Sequence, residues 1–181
     1  MRLFIGVWLS EKTRTEVFQY INMAQGQIQG FKWTTPEQLH FTLKFLGVVE
    51  EKRIRSLTMA LEGVAKGRRA FELSLGKPGQ FPERGIPRIL WIGLSSGKNE
   101  LETLAAAVEE ACIRWGFPAA DKPFKPHLTV ARAKDGQSGL NVPNLEVSWQ
   151  NTTLVSGFSL IESRLQPKGA VYRVVREFLF Q

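Results

Sequence analysis

The chain has 181 residues, 43% of them hydrophobic, and carries 24 Lys and Arg against 17 Asp and Glu for a net charge of +7. Such a length suits one compact domain or two small lobes sharing an interface, and the positive balance fits a polyanionic partner. With no run of about 18 or more apolar residues a membrane-spanning helix is excluded, and the single Cys112 excludes internal disulfides and cysteine-ligated metal sites.

"MRLFIGVWLS" has one basic residue, a short apolar run and then charged "EKTR". It reads as a first strand over Arg2 to Leu9 and not as a leader, so a soluble, unsecreted, cytoplasmic protein is expected. Val17, Ile21, Ala24 and Ile28 then recur at helical spacing behind Ser10, a good N-cap residue. "FKWTTPEQLHFTLKFLG" follows, with Pro36 ahead of an extended segment ending near Gly47. A second amphipathic helix is predicted from about Glu50 to Lys66, with Ile54, Leu57, Leu61 and Val64 on one face. "AFELSLGKPGQF" and "PRILWIGLSSG" are strand candidates separated by a Gly/Pro-rich loop.

Beyond them, "NELETLAAAVEEACIRWGF" predicts a third helix, with Asn99 and Glu102 as a capping box and Leu101, Leu104, Val108, Cys112 and Trp115 along one side. Cys112 on that stripe is a packing residue. From "FKPHLTVAR" to the C-terminus the chain reads mainly as strands, above all "FSLIESRL" and "VYRVVREFLF".

Sliding the sequence against itself by 87 residues lays "LFIGV" on "LWIGL", Pro36 on Pro123, His40 on His127, Thr42 on Thr129 and Phe71 on Phe158. A strand, a helix and a His-apolar-Thr-apolar strand thus recur in one order, as an internal duplication would produce. Two copies are too few for a solenoid and suit a pseudo-twofold pair enclosing a cleft. We expect residues 1–181 to form a single bilobal α+β domain: two antiparallel sheets facing a central cleft, with helices outside.

His40 and His127 are the only histidines in the chain. In a strand, residues i and i+2 share a face, so His40 projects with Thr42 and His127 with Thr129, while Phe41, Leu43, Leu128 and Val130 pack behind. Two imidazoles and two hydroxyls meeting in one pocket suit metal-independent phosphodiester chemistry. A neutral imidazole takes a proton from the nucleophile, a protonated one opposite gives a proton to the leaving oxygen, and the hydroxyls hold the phosphate. Two histidines without a nearby acidic or cysteine ligand leave a zinc site short.

"LHFTLKFLG" and "PHLTVAR", with the opening "RLFIGVWLSE" and the strand "PRILWIGL", resemble the two-histidine (2H) phosphoesterase superfamily over nearly the whole chain. Within it the likeness is greatest to the bacterial and archaeal RNA 2′,3′-cyclic phosphodiesterases, also called 2′-5′ RNA ligases. That resemblance implies a bilobal α+β fold, opening of a 2′,3′-cyclic phosphate to a 2′-phosphate without metal or cofactor, and in some members joining of such an end to a 5′-hydroxyl. It implies His40 and His127 as the acid–base pair, in an order left open, with Thr42 and Thr129 on the phosphate.

The family's HLTLAR-like phrase also suggests Arg132 as an active-site cation, although its odd offset from His127 would face it away from the cleft on a regular strand. A bulge or the strand end could redirect it. Lys125 and Arg88 are further candidate phosphate contacts. Trp33 and Phe124 flank the two motifs and could stack on a base, and Tyr172 could face the cleft. The expected partners are RNA or nucleotides with 2′,3′-cyclic phosphate ends, bound by a monomer away from membranes. Two rival readings stay open: a 2H esterase for another small cyclic phosphate, such as an ADP-ribose cyclic phosphate, and an RNA-end binding or ligating module.

Overall fold

The computed structural model describes residues 1–135, 146–167 and 169–181. In chain order these form β1 (Arg2–Trp8), α1 (Glu11–Gln25), β2 (Phe31–Trp33), a 3-10 turn (Pro36–Gln38), β3 (His40–Val48) and α2 (Glu51–Ala65). β4 (Phe71–Phe81), β5 (Ile89–Ser96), α3 (Lys98–Arg114), β6 (Leu128–Ala133), β7 (Thr152–Val155), β8 (Gly157–Gln166) and β9 (Gly169–Leu179) follow. The part of the expected strand-rich C-terminal stretch that falls on residues 136–145 lies outside the described residues. No helix among the described residues is long and apolar enough to cross a membrane.

All strand pairs are antiparallel, in the order β7-β4-β5-β6-β3-β1-β8-β9, with β2 added beside β6. The two expected sheets are therefore two four-stranded arms, β9-β8-β1-β3 and β6-β5-β4-β7, continuous through one paired position, Phe41 with Leu128. β1 is buried along nearly its whole length because both of its faces are covered, so it reads as an unbroken apolar run.

The element bounds follow the 87-residue offset. Shifted by 87, β1 becomes 89–95 inside β5 at 89–96, α1 becomes 98–112 inside α3 at 98–114, and β4 becomes 158–168 against β8 at 157–166. The helices also bind the arms together, α3 packing against β3 and α1 against β2 and β7. At the α3 contact Lys44, 6% exposed, reaches Glu109 at 2.5 Å and the Pro118 carbonyl at 2.9 Å, satisfying a cation the core would otherwise reject.

Ser10 caps α1 as expected, its hydroxyl accepting from the Thr13 N–H. The Asn99 capping box does not form. α3 begins two residues earlier than that box would set it, at Lys98, behind Gly97 in the left-handed region with φ 74°. Only glycine fits that turn, since a Cβ would lie 2.2 Å from the Glu72 carbonyl oxygen. Asn99 then lies within the first turn, where its carbonyl accepts from the Thr103 hydroxyl. Trp115 also departs from the expected apolar side: it follows the last helical residue and is 47% exposed, while Leu101, Leu104, Val108 and Cys112 are fully buried.

Candidate active site

The two His-apolar-Thr-apolar strands lie side by side at the junction of the arms. Phe41 and Leu128, the paired residues, are both 0% exposed, and Leu43 and Val130 are buried with them. By the alternation of an antiparallel ladder, His40 then stands opposite Thr129 and Thr42 opposite His127 on the other face. A cleft of about 480 Å³ opens on that face, lined by His40, Thr42, Thr129 and Arg132 together with Trp33, Phe45 and Tyr172. His127 stands outside this lining, beyond Thr129 and against the ring of Phe81.

Each imidazole is oriented in the same way. Nδ1 of His40 donates to the Gln38 carbonyl at 2.6 Å, and Nδ1 of His127 donates to the Lys125 carbonyl at 2.7 Å, in both cases the residue two positions earlier. A carbonyl only accepts, so Nδ1 carries the proton and Nε2 is the nitrogen free for chemistry. The Thr42 hydroxyl lies 2.9 Å from His40 Nε2 and donates to it when the ring is neutral.

The surroundings of the two rings differ. Phe4, Tyr172 and Trp8 enclose His40, with ring centroids at 4.7, 5.3 and 5.6 Å, whereas Phe81 packs edge-on to His127 at 5.2 Å. Burial therefore pushes His40 down to about 4, against the help of its hydrogen bond to Gln38, and the charges of Arg132 and His127 add to that depression. Burial also lowers His127, opposed by the Lys125 carbonyl, with Arg132 and Lys125 repelling its charged form. Burial thus favours the neutral form of both imidazoles, and an entering phosphate would favour the charged form.

Arg132 reaches the cleft through a bulge. β5 pairs Leu90 with Ala131 but Trp91 with Thr129, leaving Val130 as an extra residue in β6. Val130 and Ala131 are consequently both buried, at 2% and 0%, and the alternation resumes with Arg132 on the same side as Thr129. β3 has its counterpart at the residue 87 positions earlier: β1 pairs Ile5 with Lys44 but Gly6 with Thr42, leaving Leu43 extra. Phe45 occupies there the place that Arg132 holds in β6, 69% exposed on the cleft.

A profile of the 2′-5′ RNA ligase superfamily matches residues 14–153, well over half the chain. The chain belongs to this superfamily. A curated RNA 2′,3′-cyclic phosphodiesterase of Archaeoglobus fulgidus is 35% identical over 98% of this chain and 99% of its own length. One of Thermus thermophilus is 35% identical over 98% of this chain and 89% of its own. A crystal structure of a Thermus thermophilus protein superposes with a TM-score of 0.87 at 32% identity, covering 99% of this chain and 98% of that one.

Against this superfamily fold the remaining sequence-predicted residues fall into two groups. Trp33 and Tyr172 line the cleft, Tyr172 edge-on to both His40 and Phe4. Lys125, Arg88 and Phe124 lie outside the lining. Lys125 is turned toward Glu83 and over the rings of Phe81 and Trp91, Arg88 is exposed beside the Phe81 turn, and Phe124 packs on the core. Another hollow, of about 540 Å³ between α2 and α3, holds none of the predicted residues.

Sequence reasoning missed Phe4, Trp8 and Phe81 around the imidazoles and Arg2, Lys32, Gln38 and Phe45 in the cleft. The matching aromatics Phe4 and Trp91 at the 87-residue offset were the available signal. Among the described residues, no three His, Cys, Asp or Glu side chains gather as a metal site would require.

Proposed function

We propose that the chain is an RNA 2′,3′-cyclic phosphodiesterase that opens a terminal 2′,3′-cyclic phosphate to a 2′-phosphate by acid–base chemistry of His40 and His127. The observation that carries this reading is the pairing of Phe41 with Leu128, which sets both His-Thr pairs on one face across a single junction. The full-length likeness to curated enzymes of that name supplies the substrate class.

Water attacks phosphorus and the P–O3′ bond breaks. One imidazole takes the proton that water loses, and the other gives the proton that O3′ gains. Thr129 donates to a non-bridging oxygen, Thr42 turns its hydroxyl from His40 Nε2 to the other as the substrate enters, and Arg132 neutralises the charge that grows on them. Trp33, Phe45 and Tyr172 offer apolar faces for the nucleobase at the same cleft. With the 5′-hydroxyl of a second chain entering in place of water, its oxygen attacks phosphorus as P–O3′ breaks, and the same groups would join RNA ends through a 2′-5′ linkage. These steps call on no metal or cofactor. Reading residues 1–181 as one bilobal domain of duplicated origin belongs to the same proposal, supported by the coincident element bounds and by the paired bulges at Leu43 and Val130.

The test is hydrolysis of 2′,3′-cyclic AMP by protein freed of metal with chelator. The expected product is the 2′-monophosphate, formed at an undiminished rate under chelation. His40→Ala and His127→Ala should each lower kcat by about 10²–10⁴-fold, the range for one positioned acid–base group. Activity that survives either substitution, or that chelation abolishes, would overturn the reading.

A further inference from the structure

The cleft holds more positive charge than one cyclic phosphate requires. Arg2, Lys32 and Arg132 all line it, and among the described residues no Asp or Glu does. Every described ion pair lies elsewhere, including those of Lys44, Lys52, Lys98, Arg114 and Lys125. A cyclic phosphate diester carries a single negative charge, and Arg132 beside Thr129 suffices to meet it. Arg2 and Lys32 are left facing the cleft without a carboxylate.

Their positions are fixed by the strands. Arg2, Phe4, Gly6 and Trp8 alternate on one face of β1, and Phe4 packs on the His40 ring at 4.7 Å. Arg2 is therefore displaced from the site by two residues beyond Phe4, about 7 Å along the strand. Lys32 pairs with Arg132 across β2 and β6, and its amine extends toward Gly169 at the start of β9, 3.2 Å from where a Cβ would stand on that glycine. Burial raises the Tyr172 hydroxyl, and the charges of Arg132 and Arg2, which line the same cleft, oppose that rise.

Resting on the reading above, we infer that Arg2 and Lys32 form a second phosphate subsite, which takes the phosphodiester on the 5′ side of the terminal nucleoside. That subsite makes an RNA chain end a better substrate than a 2′,3′-cyclic mononucleotide. An RNA chain end presents a further phosphodiester one nucleoside upstream of the cyclic phosphate, and the cleft lined by Arg132 and Thr129 also carries Arg2 and Lys32. Two cations left unpaired in a cleft meet it without desolvating any carboxylate.

The experiment compares kcat/KM for 2′,3′-cyclic AMP, its 5′-phosphorylated form and the dinucleotide ApA ending in a 2′,3′-cyclic phosphate, with wild-type protein and the Arg2→Gln/Lys32→Gln variant. Wild type should favour the dinucleotide and the 5′-phosphorylated mononucleotide over 2′,3′-cyclic AMP by at least about tenfold, as a charge-assisted contact allows. The variant should lose that ratio. The dependence of log(kcat/KM) for the dinucleotide on log[salt] should flatten by about 0.7 for the lost phosphate contact.

Equal kcat/KM for all three substrates in wild type would overturn the subsite. So would a preference confined to the dinucleotide, which would assign it to the added nucleoside, or a variant that loses all substrates in proportion, which would make the residues structural. A wild-type protein inactive on every substrate would instead bring down the phosphodiesterase reading itself.

Discussion

Phe41 in β3 and Leu128 in β6 form the one paired position that joins the two arms of the sheet. Both are fully buried, so the junction is anchored by core packing, and the neighbours on the opposite face are the four polar residues of the two motifs. Each histidine faces the other motif's threonine. Hydroxyls from both halves therefore share the face on which the two imidazoles stand.

The bulge at Val130 brings Arg132 to the cleft, where the proposed reaction assigns it to the phosphate. Arg132→Ala should lower kcat/KM for 2′,3′-cyclic AMP by about 10–100-fold, as loss of a charge-assisted hydrogen bond does. Arg132→Lys should restore part of this, because a lysine keeps the charge and loses the planar fork. Steady-state kinetics on the three proteins read the effect, and a lysine variant no better than alanine would show that charge is not what Arg132 contributes.

Burial of neutral His40 links stability to pH. Its folded pKa of about 4 lies below the unfolded value near 6.5, so the unfolded chain binds the proton first and stability falls as pH drops from 6.5 towards 4. Between pH 7.5 and 5.0 this group should cost roughly 2 kcal/mol. His127 is shifted in the same direction and adds to the loss. Denaturant titrations at the two pH values should show a smaller loss for His40→Gln than for wild type, and equal losses would contradict the burial argument.

Lys44 and Glu109 bind the His40 strand to α3, and their exposures differ, with side chains 4% and 26% accessible. Removing the exposed partner should therefore hurt more. Glu109→Ala strands a buried ammonium and should cost about 3–5 kcal/mol. Lys44→Met leaves a carboxylate that water reaches and that still accepts from the Ala120 N–H, so its cost should be smaller. Denaturation midpoints decide the order.

Much of this was legible in the sequence because it follows short periods. The alternation in "HFTL" and "HLTV" fixes which side chains share a face, and the 87-residue offset supplies the second half of the site. Arg132 was not readable by the same rule, since parity counting assumes a regular strand. The adjacent apolar Val130 and Ala131, both buried, are the trace that the bulge leaves. The pairing of β2 with β6 and the packing of Tyr172 on His40 join residues far apart in the chain, and no local pattern encodes them. The start of α3 was misplaced for a simpler reason: Gly97, free to turn left-handed, set it ahead of the better capping residue Asn99.

In the proposed reaction, imidazoles from both halves of the chain act on one phosphorus. Nitrogen-15 NMR of histidine-labelled protein, titrated with the product 2′-AMP across pH, tests it most directly. One equivalent of ligand should shift the Nε2 resonances of His40 and His127 together and raise both pKa values, because the same dianion lies beside both rings. A response confined to one histidine, or two responses at separate stoichiometries, would contradict the account.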